Sequence, residues 1–356
     1  MASTLLTWLK RIVRVMAPGK DKNVLTVALG HLSRFGCTAT IDEPASHIRL
    51  ELSELLDHTY QFLVQSSVQK VDDVLDPLLD VLATVRQASD EDAWRKTIGQ
   101  IRRHPLFPLQ LHDPLTYQCF HKPRGHAPDP VMLDLVYRDH IEPQQTSDLA
   151  RRLLSYMLGR PFADALRDRR DSLAALIDAT AERTEGTAEV LAIEAGHMRE
   201  ARRSHAFQSR SLRRFVALDR DVQAIDLVER ELGHSHVTAI HTPTYAMLNG
   251  GRAALGCFDL IYSVGLFEQL EDAAAAQALA SVFATLKPGG KVWLSNFGPG
   301  LREAAYLESF MNWWPTYRDG SALERMAAAI PSSEIMSVKT ELDPTGSIVS
   351  LELTHC

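Results

Sequence analysis

Five short apolar runs, partly β-branched, follow one another between residues 189 and 297, and they constrain the fold more than any other feature of the chain. Such short continuous runs are typical of parallel strands that are buried on both faces. Helical patterns or turns separate them, which favours a doubly wound α/β sheet. The predicted strands are EVLAI (189–193), FVAL (215–218), HVTAIHT (236–242), FDLIYSV (258–264) and KVWLSNF (291–297).

The segments around the last of these runs complete the predicted sheet. QALASVFATL (277–286) carries apolar residues at helical spacing, which predicts a helix on one sheet face. LKPGG (286–290) predicts a turn back into a strand, with φ above zero at both glycines. EIMSVKTEL (334–342) and IVSLELT (348–354) predict an antiparallel strand pair at the end of the chain.

The chain before residue 186 is predicted to be helical except for one stretch. Apolar residues recur every three or four positions over 24–100, and a further helical pattern runs to about 185. Residues 101–145 are dense in Pro, His and aromatic residues, which predicts an ordered, irregular segment. We therefore predict an N-terminal helical region (1–100), a helical cap or lid segment (101–185) and a sheet domain (186–356).

The composition of the chain argues against nucleic acid and metal ions as binding partners. The chain has 38 Lys and Arg against 45 Asp and Glu, a net charge of -7, which argues against nucleic acid as a partner. Its cysteines form no CxxC pair, and neither they nor the histidines show a zinc spacing, so we predict no metal. We expect reduced thiols in a cytoplasmic protein. The cysteines are Cys37, Cys119, Cys257 and Cys356.

The first residues predict one amphipathic helix. Apolar and basic residues lie on opposite sides of residues 4–16, and the basic residues interrupt the apolar run, so this is not a signal peptide. Docking on the protein's own core is the expected role, and weak contact with an anionic membrane surface is the alternative. We predict no transmembrane segment. The sequence does not determine the oligomeric state, and a homo-oligomer is one alternative.

Ligands of doubly wound sheets bind at the carboxyl ends of the central strands, so the residues after each predicted strand matter most. Asp219 ends the second strand, where a carboxylate can accept hydrogen bonds from both hydroxyls of an adenosine ribose. Its alternative role is to cap the following helix. The loop EAGHMRE (194–200) has one glycine, Gly196, and a pyrophosphate would need more, so a dinucleotide is disfavoured.

Gly196, Asp219, FDLIYSVGLFEQL (258–270) and LKPGGKVWLSNF (286–297) together resemble the class I methyltransferases in order and spacing. The resemblance implies a Rossmann-like sheet that binds S-adenosylmethionine, a cofactor without a phosphate, in the 186–356 domain. Ala192 stands where these enzymes usually have an acidic residue. The cofactor contacts that we predict are Glu194, Gly196, His197, Asp219, Arg220, Ser263 and Gly265.

Three stretches carry a narrower resemblance. HPLFPLQLHDPLTYQCFHKPRGHAPDPVMLDLVY (104–137), AGHMRE (195–200) and YLESFMNWWPTYR (306–318) resemble the 3-hydroxypalmitic acid methyl ester synthases, over about residues 100 to 330. That family makes a fatty-acid methyl ester signal for bacterial quorum sensing. The chain departs from the family pattern at His126, Pro128 and Asn312.

The narrower resemblance implies a carboxyl O-methyltransferase that acts on a small-molecule 3-hydroxy fatty acid. A carboxylate is already ionised at neutral pH, so its methylation needs no general base, only orientation and exclusion of water. We predict catalytic roles for Arg124, Tyr317 and Arg318, with the two arginines close together around one cavity. Their alternative role is structural. The predicted substrate contacts are Lys122, Tyr137, Asn296, Phe297, Trp313 and Trp314, with Phe310 added to the apolar wall.

Two other functions stay open. One is a methyltransferase for another small acid or an amine. The other is a regulatory or partner-binding protein that keeps the fold without turnover. Glu194 most favours the latter because it could repel the carboxylate of the cofactor, although it could equally pair with the ammonium group.

Overall fold

The computed structural model describes residues 46–65, 70–138, 147–233, 237–243 and 255–356. The predicted helix at 4–16 and Cys37 lie outside these residues. The helices are α1 (Ser46–Gln65), α2 (Asp72–Ala88), α3 (Glu91–Arg103), α4 (Leu106–Gln110), α5 (Pro114–His121), α6 (Pro130–Tyr137), α7 (Asp148–Leu158), α8 (Pro161–Arg183), α9 (His205–Gln208), α10 (Val222–Leu232), α11 (Asp272–Phe283), α12 (Ala304–Ser309) and α13 (Gly320–Met326). The strands are β1 (Glu189–Ile193), β2 (Arg214–Asp219), β3 (Val237–His241), β4 (Phe258–Ser263), β5 (Leu286–Phe297), β6 (Ile335–Leu342) and β7 (Ile348–His355).

The chain divides into two compact units. Of the described residues, those within 46–112 and 302–310 form one unit, and those within 113–301 and 311–356 form the other. Residues 101–112 therefore belong to the first unit and residues 113–185 to the sheet unit, whereas the predicted parts divide at 100 and 185.

In the first unit, a short helix from late in the chain packs with the early helices. The carboxylate of Glu308, on α12, accepts two hydrogen bonds from Arg86 at 2.7 and 2.8 Å and one from the indole of Trp94 at 2.6 Å. Arg102 donates to the backbone carbonyls of Glu308 and Ser309. Because Glu308 is buried, these charge-assisted bonds provide the partners that its carboxylate needs.

The second unit contains a seven-stranded sheet in the order β3-β2-β1-β4-β5-β7-β6. Neighbours from β3 to β5 pair in parallel, and β7 runs antiparallel to both β5 and β6. This is the strand order of class I methyltransferases, and it confirms the predicted Rossmann-like α/β fold with an antiparallel terminal pair. The predicted strands are confirmed to within a few residues.

Both faces of the central strands are buried, as their continuous apolar sequence predicts. Leu191, Val216 and Ile261 pack with apolar residues of α11 and α13 in one core, while Val190, Phe215 and Leu260 pack in a second core with residues of α8 and α10. Adjacent strand residues point to opposite faces, so every second residue joins the same core.

The LKPGG segment differs from the prediction. It forms the first residues of β5 rather than a separate turn, and the pairing of β4 with β5 shifts register there. Gly289 has a φ of 73°, as predicted, but Gly290 does not have a positive φ. Gly290 is needed for space instead, because a Cβ there would lie 2.8 Å from the backbone oxygens of Lys287 and Phe258.

The predicted irregular segment 101–145 is wrong in its secondary structure, because α4, α5 and α6 occupy much of it. Asp113 and Asp129 cap the N-termini of α5 and α6, and a proline follows each as the first helical residue. An Asp-Pro pair is a favourable helix start, since the missing N–H of proline has no helical partner at that position. The loop between the two helices, residues 122–129, contains the KPRG sequence.

Candidate functional site

Asp219 joins the loops that follow β1 and β2. Its Oδ2 accepts the backbone N–H of Gly196 at 2.7 Å, and its Oδ1 accepts that of Asp221 at 2.7 Å. Burial, followed by the nearby charge of Glu194, raises the pKa of Asp219 to about 6 despite these two hydrogen bonds. The N-cap of α10 is Asp221, which accepts from Gln223 and Ala224. Asp219 is therefore not the helix cap.

The loop after β1 turns tightly at Gly196. Gly196 has a φ of 55°, and Glu194 and Met198 also have positive φ values, which are unfavourable for residues with side chains. A Cβ at Gly196 would lie 3.5 Å from Pro130, at the start of α6. The segment that carries KPRG thus lies close to the carboxyl ends of β1 and β2.

His197 is held by an acidic residue of α6. Its Nδ1 lies 2.8 Å from Asp134 Oδ2, and Arg199 donates two hydrogen bonds to the same carboxylate at 2.6 Å. Burial raises the pKa of Asp134, but Arg199 and His197 lower it by more, so the net change is downward. The ionised carboxylate favours a proton on Nδ1. Nε2 is buried and has no hydrogen-bond partner.

Arg220 crosses from β2 towards the end of β4. Its Nε lies 3.4 Å from Glu194 Oε2, and its guanidinium donates to Gln269 at 2.6 Å. Gln269 also donates to the carbonyl of Gly265. Four predicted cofactor residues, Glu194, Arg220, Gly265 and Asp219, are thereby linked around the ends of β1, β2 and β4.

The predicted catalytic arginines have separate partners. Arg124 donates to Asp221 at 2.6 Å, which places it beside the start of α10. Arg318 is only 2% exposed and donates to the carbonyls of Phe267 and Leu270 and to Asp272. These contacts describe a residue that holds the loop between β4 and α11, and a role in catalysis stays a prediction for both arginines.

The predicted substrate residues are spread more widely. Phe297 and Trp313 are buried with their rings 5.3 Å apart, and Asn296 donates to the carbonyl of Thr316. Trp314 is exposed and Tyr317 is half-buried. Lys122 ends α5 in a left-handed conformation. Phe310 belongs to the first unit, where it stacks on Phe107 and Tyr306.

The ends of β4 and β5 hold a buried polar group centred on Arg169, which was not predicted from the sequence. Arg169, on α8, donates to the carbonyl of Val264 at 2.8 Å and lies 3.5 Å from both Glu268 and Ser295. Burial raises the pKa of Glu268 to about 7, although Arg169 and Arg318 oppose this. Burial also raises the pKa of Tyr137, whose hydroxyl faces Arg169.

A sequence signal for Arg169 did exist. The buried stripe of α8 includes Phe162, Leu166, Leu173 and Ile177, and Arg169 falls on the same stripe. A charged residue on an apolar stripe requires a buried partner. Glu200 carries the equivalent signal within AGHMRE: it is buried, it accepts a hydrogen bond from Tyr262 at 2.5 Å, and burial raises its pKa.

The described residues contain no group of three or more His, Cys, Asp or Glu side chains that could hold a metal ion. Within the same residues, no helix is long and apolar enough to cross a membrane. Cys119, Cys257 and Cys356 are free thiols.

No protein-family model matches the chain, and no curated protein matches it. Among solved structures, a possible exported protein from Bordetella parapertussis is 15% identical, with 88% of this chain and 98% of that chain covered and a TM-score of 0.52. This likeness shows the fold alone. Magnesium protoporphyrin IX methyltransferase from Synechocystis is 10% identical, covering 62% of this chain and 93% of that one, with a TM-score of 0.43. N-methyltransferase NodS from Bradyrhizobium japonicum is 14% identical, covering 63% and 98%, with a TM-score of 0.39.

The last two TM-scores are too low to add to what the strand order shows. Topology and strand-end residues define the class: an α/β protein with the class I methyltransferase fold and a buried carboxylate at the end of β2.

Proposed function

We propose that the protein is a cytoplasmic S-adenosylmethionine-dependent methyltransferase that forms the methyl ester of a 3-hydroxy fatty acid. Asp219 is the observation that carries this proposal. It is 3% exposed at the end of β2, and it is fixed by the backbone N–H of Gly196. A carboxylate with this placement can accept the two ribose hydroxyls of an adenosine.

The residues around Asp219 fit the cofactor. Among the described residues, His197 Nε2 is a buried polar atom without a hydrogen-bond partner, and it needs one. Gly196 allows the positive φ that turns the loop at this edge, and its N–H fixes Asp219. When bound, the cofactor would supply a methyl group on a positively charged sulfur.

Each of these side chains has a distinct task in this proposal. Asp219 accepts hydrogen bonds from the ribose, and its low water access strengthens them. His197 presents Nε2 as an acceptor, which suits the ammonium group of the methionine part. Arg220 holds Glu194 by an ion pair, so Glu194 does not face the site as an uncompensated charge.

Methylation of a carboxylate acceptor does not require a general base in the protein. Methyl transfer to a carboxylate forms one oxygen–carbon bond and breaks one sulfur–carbon bond, and no proton moves. The protein must hold the oxygen in line and exclude water, because the reaction joins two opposite charges. Trp313 and Phe297 provide buried apolar surface after β5.

The acid class rests on the resemblance of the KPRG and WWPTYR stretches. We propose that residues 122–137 act as the cap over the cofactor edge, where Arg124 and Asp134 already contact it. A methyltransferase for an amine is the second candidate. Glu268 favours it, because a buried carboxyl with a pKa of about 7 is suited to remove a proton at neutral pH.

The test uses methyl-labelled methionine. Cells that express the protein should yield a new labelled methyl ester in their lipid extract. Asp219→Ala should abolish the label, and Asp226→Ala, a change at an exposed residue of α10, should not. A labelled amine instead of an ester would favour the second candidate. Absence of any product with the intact protein, together with absence of cofactor binding, would favour a regulatory role.

A further inference from the structure

Four buried polar atoms without hydrogen-bond partners lie on residues at or near the ends of β4 and β5. They are Arg169 Nε, Ser263 Oγ, Glu268 Oε2 and Asn296 Oδ1. We call these four residues the Arg169 cluster, and each is at most 5% exposed. An unpaired buried polar group costs about 1–3 kcal/mol, so four in one region call for an explanation.

Short contacts tie the cluster together. Arg169 binds the carbonyl of Val264, the residue after Ser263, and its guanidinium also faces Glu268. The carbonyl of Glu268 accepts the backbone N–H of Thr316, and the carbonyl of Thr316 accepts the Nδ2 of Asn296. Because β4 lies beside β1, the cluster is at the carboxyl edge next to the loop that carries Gly196.

The free atoms define what a ligand must offer. Arg169 Nε and Ser263 Oγ can donate hydrogen bonds. Asn296 Oδ1 can only accept, since its amide nitrogen already donates to Thr316. A matching ligand has acceptor oxygens for the first two residues and a hydrogen-bond donor for the third.

Charge adds a further requirement. A guanidinium keeps its positive charge in proteins, whereas burial raises the pKa of Glu268, the acid that faces Arg169, to about 7. Glu268 therefore compensates the charge of Arg169 only in part near neutral pH. A buried cation with incomplete compensation favours an anionic ligand.

We propose that the Arg169 cluster binds the carboxylate of the acceptor, and that Asn296 accepts a hydrogen bond from a hydroxyl group a few bonds away. The inference rests on the proposed function and assigns its head-group site. It places the acid on Arg169 instead of Arg124 or Arg318. Arg318 already holds two carbonyls and Asp272, and Arg124 holds Asp221 at the start of α10.

The experiment measures binding by calorimetry with S-adenosylhomocysteine present. The probes are 3-hydroxydecanoate, decanoate, 1,3-decanediol and decylamine. The intact protein should bind 3-hydroxydecanoate about tenfold more tightly than decanoate, the value of one buried hydrogen bond of about 1.4 kcal/mol. The diol and the amine should bind at least tenfold more weakly than decanoate.

Two variants separate the roles. Asn296→Leu should reduce the ratio between the two acids to near one, and this ratio is insensitive to a general loosening of the site. Arg169→Lys should weaken both acids about tenfold and leave the affinity for S-adenosylhomocysteine unchanged. Arg213→Gln, at a side chain that is 70% exposed, is the matched control and should change none of these values.

The outcomes distinguish this inference from the proposed function. Unchanged acid affinity in Arg169→Lys, an unchanged ratio in Asn296→Leu, or preference for the amine would overturn the head-group site while methyl transfer could stand. If S-adenosylhomocysteine does not bind, the proposed function fails. The acids are then titrated alone, and acid binding that depends on Arg169 would still support an anion site there.

Discussion

The carboxyl edge of the sheet has two halves, one at the ends of β1 and β2 and one at the ends of β4 and β5, and their polar residues differ in where their partners lie. At β1 and β2, Asp219 is paired with the backbone of adjacent loops, and its partners lie within 23 positions of it in sequence. At β4 and β5, Arg169 reaches partners 95 to 126 positions away, and four polar atoms in its cluster lack partners. In the first half Asp219 has its partners within the protein, although His197 Nε2 and Arg220 Nε lack a hydrogen bond. In the second half we expect a bound ligand to provide partners for the four unpaired atoms.

The largest expected effect tests whether Arg318 belongs to the fold. Arg318→Ala removes the donors to the buried carbonyl of Phe267 and the half-buried carbonyl of Leu270 and leaves a cavity, so we expect a loss of about 4 kcal/mol in the free energy of unfolding. Urea denaturation measures it. If the variant keeps its stability but loses turnover, Arg318 binds the acid rather than supporting the fold. The difference between the β1–β2 half and the β4–β5 half of the edge would then not hold.

The second prediction concerns Asp219. Asp219→Ala should weaken S-adenosylmethionine binding about 100-fold, because it removes charge-assisted hydrogen bonds to both ribose hydroxyls. The thermal shift caused by the cofactor would then nearly vanish. Circular dichroism should show that the variant stays folded. A full thermal shift in the variant would mean that Asp219 only joins the two loops.

The third prediction uses pH to examine the β4–β5 half. The pKa of Glu268 is raised to about 7 in the folded protein, so its ionisation destabilises the fold as pH rises from about 4.5 through 7. Glu268→Gln removes this cost. Relative to the intact protein, the variant should gain about 3 kcal/mol of stability between pH 4 and pH 8. A difference that does not vary with pH would show that Glu268 ionises normally.

The smallest effect is expected at Glu194. Its carboxylate lies 3.4 Å from Arg220 and raises the pKa of Asp219. Glu194→Ala should weaken cofactor binding by about threefold if the carboxylate contacts the ammonium group, a small effect because Arg220 shares this carboxylate. Isothermal titration calorimetry can resolve this change. Tighter binding together with new activity would identify Glu194 as the lesion of an inactive site.

For the β1–β2 half, the sequence predicted where the strands and Asp219 lie, while the cofactor role of Asp219 stays a prediction. Apolar runs located every strand of the sheet, and Asp219 was predictable because a strand end and the next helix start fix its position. The pairs Asp113–Pro114 and Asp129–Pro130 were misread as irregular chain because proline density was given more weight than helix capping.

The β4–β5 half could be predicted only in part. Asn296 could be proposed as a site residue because it lies at the end of a predicted strand. Arg169 does not, since its role depends on which side of α8 packs against the sheet and on contacts far along the chain. Arg124 and Arg318 were chosen for their chemistry, and their catalytic roles stay predictions. Their contacts with Asp221 and with the carbonyls of Phe267 and Leu270 could not be predicted, because they depend on how distant parts of the chain pack.

Glu308 has a consequence for the order of events during synthesis. Trp94 emerges from the ribosome early, yet its indole binds a carboxylate that lies 214 positions later, after β5. Domains commonly fold as they are synthesised, from the N-terminus onwards. Here the first helices cannot reach their final packing until most of the sheet has been translated. A chain cut before residue 302 would therefore lack α12, and its helical unit should fold poorly even though all of the earlier helices are present.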